Sequence, residues 1–182
     1  MKHLAIQTDR LVLNQPMDTD IPLLLEIMQN PIYNRNTTNI PFPYTEGSAR
    51  FWVELAEQGL DQETAYIFAI RLKDQPQIIG GIGLGINKVN NNAELGYWLD
   101  ESHWNKGYVT EAAQALLSFG FNELNLKRIF ASYFSFNEAS GRIMEKIGMQ
   151  KEGLLKAYTY KDGVYHDHVL YASINPNNEH ID

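Results

Sequence analysis

The stretch QIIGGIGLGINKV (77–89) narrows the folds open to this chain more than any other. As a strand it puts Ile82, Leu84 and Ile86 on one face and Gly81, Gly83 and Gly85 on the other. The apolar face calls for a sheet that covers a core. The bare face calls for a neighbour that comes very close, a packed helix by preference or otherwise a ligand. The run is not a dinucleotide fingerprint, because its third glycine falls in the wrong place and it lies inside a strand instead of opening a helix.

The flanking sequence supplies the rest of the sheet. AYIFAIRL (65–72) and AELGYWLD (93–100) read as strands joined to the glycine strand by turns at Asp74–Gln75–Pro76 and Asn90–Asn92, an antiparallel meander. A helix within 103–121, a strand at 127–134 and a helix over 138–147 follow. Two strands, 149–160 and 164–174, close the chain around Lys161–Asp162–Gly163. Upstream, DRLVLN (9–14) alternates like a strand. DTDIPLLLEIMQ (18–29) reads as a helix with Asp18 or Asp20 as its N-cap. NPIYNRNTTNIPFPYT (30–45) reads as a polar, proline-broken loop. A second helix starts at Thr45 or Ser48 and runs to about Gln58, with Phe51, Trp52 and Leu55 on one face. Strands and helices mixed in this way, with a strand–helix–strand crossover in the middle, predict an α/β (α+β) domain. With 182 residues and no repeat or linker, 1–182 reads as one domain whose core spans about 8–174, with a short polar tail.

Composition excludes several classes of function. The chain has no cysteine, so disulfides, thiolate metal sites and a cysteine nucleophile are ruled out, and a reducing cytoplasm suits it. Its start lacks the long apolar core of a signal peptide, and no segment approaches a membrane span. The net charge of −7 argues against a nucleic-acid coat and would tolerate a cationic substrate. His166 and His168 share a strand face, but two ligands without a third make a poor metal site; surface or cleft-lining roles fit them better, and no metal is expected. Tyr158, Tyr160 and Tyr165 cluster on the closing hairpin, where they serve packing or line a pocket.

HWNKGYVTEA (103–112) is the chemically suggestive stretch. A helix that starts here leaves its first amides without intrahelical partners, at the positive end of its dipole. An anion such as pyrophosphate binds such a place readily. Gly107 permits close approach and a positive φ, and Lys106 adds charge. A helix start that merely needs a glycine would look the same. No P-loop motif is present.

Three blocks in order carry a resemblance: AELGYWL, then WNKGYVTEA, then NEASGRIMEKIGM with EG after it. Together they resemble the GNAT N-acetyltransferases, most of all the branch of ribosomal-protein N-terminal acetyltransferases, over about residues 8–174. IPFPYT (40–45) is similar to the loop between the first two helices of that branch. The resemblance implies a single-domain fold with a mixed, mostly antiparallel splayed sheet flanked by helices, and acetyl-CoA as co-substrate. It implies that Asn105, Lys106, Gly107, Tyr108, Val109 and Thr110 wrap the pyrophosphate, mostly through backbone amides. Trp104 and Val109 depart from the family's pattern there, while Gly107 keeps it.

The same resemblance places the base on the strand of Glu94, which as an isolated residue reads as a solvated acid. It implies a bulge near Gly96 that frees strand backbone, with Tyr97, Trp98 and Leu99 along the pantetheine arm. Asn137 then bonds that arm, although by itself it reads as an N-cap. Many members carry a tyrosine seven residues later to protonate the leaving thiolate, and here Met144 stands there. Ser140 holds the place the ribosomal branch uses instead, with water as the fallback. The implied reaction is direct transfer in a ternary complex to a protein or peptide α-amine, or else to a polyamine or antibiotic-like amine. A non-catalytic acyl-CoA-binding module is the rival reading. The oligomeric state stays open, a homodimer included.

Overall fold

A computed structural model of the chain describes residues 4–177, so the polar tail beyond them lies outside the described residues. Eight strands form one sheet in the order β1-β2-β3-β4-β5-β6-β8-β7. They are β1 (Ala5–Gln7), β2 (Leu11–Asn14), β3 (Ala65–Leu72), β4 (Ile78–Asn87), β5 (Asn92–Leu99), β6 (Arg128–Phe134), β7 (Gln150–Lys161) and β8 (Val164–Ile174). Every neighbouring pair is antiparallel except β5–β6. The expected meander is present as β3–β4–β5. The helices are α1 (Ile21–Ile27), α2 (Ile32–Asn36), α3 (Glu46–Gln62), α4 (Tyr108–Asn122) and α5 (Glu138–Lys146). The crossover through α4 is what makes β5 and β6 parallel.

Several local expectations need correction. β1 precedes the strand read at 9–14. The 30–45 segment is not all loop, because Pro31 stands at the N-cap position of the short helix α2, and proline is well suited to a helix start. The first helix is shorter than 18–29, with a 3-10 turn at Asp18–Asp20 before α1. Asp20 occupies the N-cap position of α1 without capping it. Its carboxylate instead takes two bonds from the Arg71 guanidinium, at 2.8 and 2.7 Å, with both side chains buried. Thr45 does cap α3, its hydroxyl accepting from the Ser48 amide.

The sheet is covered on both faces. One core packs α4 and α5 side chains, such as Leu116 and Met144, on Ile82, Leu84, Leu95 and Ile129. The other packs α1 and α3 on Ala69, Ile78 and Trp98. The glycine face of β4 turns to this second layer. A Cβ on Gly81 would come within 2.4 Å of the Trp98 indole nitrogen and 2.8 Å of Trp52 on α3. The expected helix neighbour is therefore real at Gly81. At Gly83 the close neighbour is strand β3, and Gly85 faces open space.

The sheet opens between β5 and β6. These strands pair only over Asn92–Glu94 with Arg128–Phe130 and then part. The bulge expected near Gly96 is absent from the β4–β5 ladder, whose register runs unbroken through the Gly83–Gly96 pair. A Cβ on Gly96 would touch nothing. The parting alone leaves the later residues of β5 with one unpaired edge.

Candidate active site

α4 starts at the mouth of that opening. Gly107 is its N-cap, at φ 80°, and Asn105 two residues earlier is also left-handed, at φ 60°. The first helical bond runs from the Glu111 amide to the Gly107 carbonyl (3.0 Å), so the amides of 108–110 have no partner within the helix. Left-handed residues on either side of Lys106 turn the chain into a concave run of N–H groups, a shape suited to an anion. Lys106 itself is turned back, its ammonium donating to the Ser102 carbonyl at 2.9 Å.

Next to this cradle lies a cavity of about 370 Å³, the size of a small-molecule site. Tyr97, Trp98, Leu99, Asn105, Gly107, Tyr108, Val109, Thr110, Asn137 and Ser140 all line it. Of the residues expected at the site, Lys106 and Glu94 do not line it. Asn137 stands at the N-cap position of α5 but makes no side-chain cap. Its amide nitrogen instead donates to the Ser140 hydroxyl at 3.1 Å. The Tyr97 hydroxyl donates to the Ser140 carbonyl at 3.1 Å, and burial pushes its pKa far up, so it holds its proton tightly. Met144 is 2% exposed in the core and does not reach the cavity.

Glu94 sits on the opposite side of the opening. Strand alternation puts Ala93, Leu95 and Tyr97 toward α4 and α5, and Glu94, Gly96 and Trp98 toward α1–α3. Glu94 keeps contact with solvent, yet the protein around it desolvates the carboxyl and raises its pKa above the ordinary value. At the inner end of the gap the last paired residue, Glu94, thus turns a carboxylate to one face of the sheet, and the Ser140 hydroxyl lines the cavity. That suits removal of a proton from one face and delivery of one at the other.

Residues 10–150 match the family model described as Acetyltransferase (GNAT) domain. The chain belongs to the GNAT acetyltransferase family. It is similar to the uncharacterized N-acetyltransferase YoaA of Bacillus subtilis, 33% identical over 173 residues that cover 94% of this chain and 97% of that protein. It is also similar to the ribosomal-protein-serine acetyltransferase of Escherichia coli, 32% identical over 155 residues, 84% of this chain and 86% of that one. In fold it matches RimL, a ribosomal L7/L12 α-N-protein acetyltransferase in complex with coenzyme A. The TM-score is 0.87 at 22% identity, over 96% of this chain and 100% of that one.

Some groups at this GNAT site were not evident from the sequence. Arg10, in the β1–β2 turn, braces the cradle. Its guanidinium bonds Glu111 at 2.7 Å and the Lys106 carbonyl at 2.9 Å, and stacks 4.7 Å from the Tyr108 ring centre. Thr8 and the Arg10 amide also donate to Glu111, which holds the Glu111 carboxyl below its usual pKa against the effect of burial. Arg142 and Lys146, one turn apart on α5, line the cavity, Arg142 within 3.5 Å of the Glu138 carboxylate, and α2 with its C-cap contributes Ile32, Tyr33, Asn36 and Thr37. The only sequence signal was the 142/146 helical spacing, which any exposed helix can show.

Proposed function

We propose that this GNAT enzyme transfers the acetyl group of acetyl-CoA to a primary amine, the N-terminal α-amine of a protein or peptide, by direct attack in a ternary complex. The observation that carries this reading is the gap between β5 and β6, with Glu94 on one side and the cradle, Asn137 and Ser140 on the other. The residues present fit acetyl-CoA. The amides of 108–110 suit its pyrophosphate, and Arg142 and Lys146 supply countercharge in a chain of net charge −7. The unpaired edge of β5 at Tyr97–Leu99 suits the amide-bearing pantetheine arm.

In this reading Glu94 takes a proton from the incoming ammonium, directly or through water. The amine nitrogen attacks the thioester carbon, and a β5 backbone N–H donates to the oxygen that gains charge. The carbon–sulfur bond breaks, the thiolate takes the Ser140 hydroxyl proton or one from water, and the second proton lost by the attacking nitrogen, relayed through water, replaces the one given up. Asn137 supports this role for Ser140, because its amide occupies an oxygen lone pair and leaves the O–H free to donate. Tyr97 keeps its proton on the Ser140 carbonyl.

The α-amine is supported by the likeness to ribosomal-protein acetyltransferases. The experiment is to incubate the protein with acetyl-CoA and a panel of peptides, polyamines and aminoglycosides, and to read one-acetyl mass gains and thiol release. Acetylated peptide N-termini are expected. Acetylation confined to small amines would overturn the acceptor, and no thiol release with any amine would favour a non-catalytic acyl-CoA-binding module.

A further inference from the structure

On the face of the sheet that carries Glu94, one polar side chain is buried short of a partner. His168 on β8 is 3% exposed, and its Nε2 has no hydrogen-bond partner. This corrects the surface role that the sequence allowed for it. Its Nδ1 lies 3.2 Å from the Ser132 hydroxyl. Its ring packs on Phe134, with centroids 4.5 Å apart, and on Tyr158, at 5.1 Å. If Ser132 donates to Nδ1, Nε2 carries a buried N–H without an acceptor. If Nδ1–H donates to Ser132, Nε2 holds a buried lone pair. Either way the fold carries an unsatisfied polar group, which in native proteins demands an explanation. Burial, and then the neighbouring His166, both lower the pKa of His168 and favour the neutral ring.

Register locates this group relative to the chemistry. Glu94 pairs with Phe130, and Phe134 pairs with His168. Alternation along β6 therefore puts Glu94, Phe130, Ser132, Phe134 and His168 on one face. The opposite face holds Ile129 and Ala131 in the core under α4 and α5. His168 lies on the face from which an amine would reach Glu94, but four residues along β6, roughly 13 Å, from the Phe130 that pairs with Glu94.

The cover over His168 comes from a bulge in the edge strand β7. Leu155 pairs with His168 and Thr159 with His166, so Lys156, Ala157 and Tyr158 bulge out opposite Asp167 alone. Ala157 is left-handed at φ 50°, and its amide donates to the Asp167 carboxylate at 2.7 Å. Tyr158 is 60% exposed on this edge strand and belongs to neither core cluster.

We propose that His168, with Ser132 behind it and Tyr158 as its removable cover, is an acceptor subsite that hydrogen-bonds an uncharged polar group of the acceptor at a distance from the reacting amine. A backbone peptide group a few residues in from a protein N-terminus is such a group. The subsite rests on the N-acetyltransferase reading and sharpens its acceptor class. Its surroundings disfavour a second ammonium. His166 packs on Phe134, the Lys161 ammonium lies 5.8 Å from the Phe134 ring, and Arg35 sits over Phe136 at 5.7 Å. A polyamine's second charge would meet cations and neutral rings there, and the Asp167 carboxylate in the bulge is already held by the Ala157 amide.

The test compares the full chain with His168→Phe, using acetyl-CoA, short peptides with free serine or alanine N-termini, and spermidine. Phenylalanine keeps the ring packing and removes both nitrogens. The peptide KM should rise about tenfold, with kcat and the acetyl-CoA KM within about twofold. The thermal midpoint should be equal or higher, because the unsatisfied group is gone. An unchanged peptide KM, or parallel losses in stability and every kinetic constant, would make the histidine structural and overturn the subsite while leaving the enzyme reading intact. A parent protein that acetylates spermidine but no peptide overturns the ligand class, and one that acetylates nothing overturns both readings. Nitrogen-15 NMR of the parent decides the matter even if the variant fails to fold. With coenzyme A present, added peptide should shift the His168 Nε2 resonance, and a stationary resonance overturns the subsite.

Discussion

Glu94, the proposed base, sits where the protein makes it reluctant to ionise. Desolvation raises its pKa above the ordinary 4.5, so the folded state binds this proton more tightly than the unfolded chain. Its contribution to stability therefore falls as pH rises from the unfolded value through the raised one. Glu94→Gln should leave the thermal midpoint at neutral pH unchanged or higher, while turnover falls by about 10²–10⁴. The acidic limb of the parent's kcat/KM profile should lie above pH 4.5 and disappear in the variant, and the deficit should narrow at high pH as free amine accumulates. An unchanged pH–rate profile would remove Glu94 from the chemistry. Ser140→Ala should cost less, about tenfold or below, since water can protonate the thiolate; a loss as deep as that of the Glu94 variant would mean that water is excluded.

The cradle is an element held by another element far away in sequence. Arg10 and Thr8 reach Glu111 across 101 and 103 positions and fix the first turn of α4 below the amides at 108–110. Arg10→Ala should raise the KM for acetyl-CoA by up to about fivefold, the worth of a well-made exposed ion pair, with kcat nearly unchanged. Steady-state kinetics at varied acetyl-CoA would show it, and a fall in kcat alone would mean the brace serves something else. This contact also marks where the sequence stops being legible. Strands β3, β4 and β5 could be read because alternation is a local signal, and Gly107 because a left-handed helix start is a local demand. The helix α2 was hidden by prolines that read as breakers. The opening beside Gly96 was assigned to a bulge, when it follows from where pairing with β6 ends. His168 could be seen as a histidine on a strand face, but its burial depends on a bulge in β7, which alternation in β8 does not report.

Charge is uneven across the molecule. The chain carries −7 overall, yet α5 presents Arg142 and Lys146 to the cavity. A polyanionic ligand therefore approaches a locally positive mouth on a negative body, and the attraction is open to screening. The double variant Arg142→Ala, Lys146→Ala should weaken acetyl-CoA binding by about tenfold in dilute buffer. The difference should shrink toward about 1 M salt, where the Debye length falls from about 10 Å to about 3 Å. Calorimetry across a salt series would measure this, and a salt-independent loss would point to packing by the two stems instead.

The three-residue pairing of β5 with β6 has a mechanical consequence. It is the one place where the five-strand and three-strand parts of the sheet share backbone hydrogen bonds, so the sheet behaves as two plates along a short weld. Amide hydrogens on both sides of the weld, in 92–99 and 128–134, should exchange through local opening more easily than those of the β3–β4 ladder. A ligand bridging both plates acts as a rivet. At about a hundred times its Kd, acetyl-CoA should add ~2.7 kcal/mol of stability. Exchange should slow most along the weld and least at the far edge in β1, and uniform slowing would mean that the plates already open and close as one.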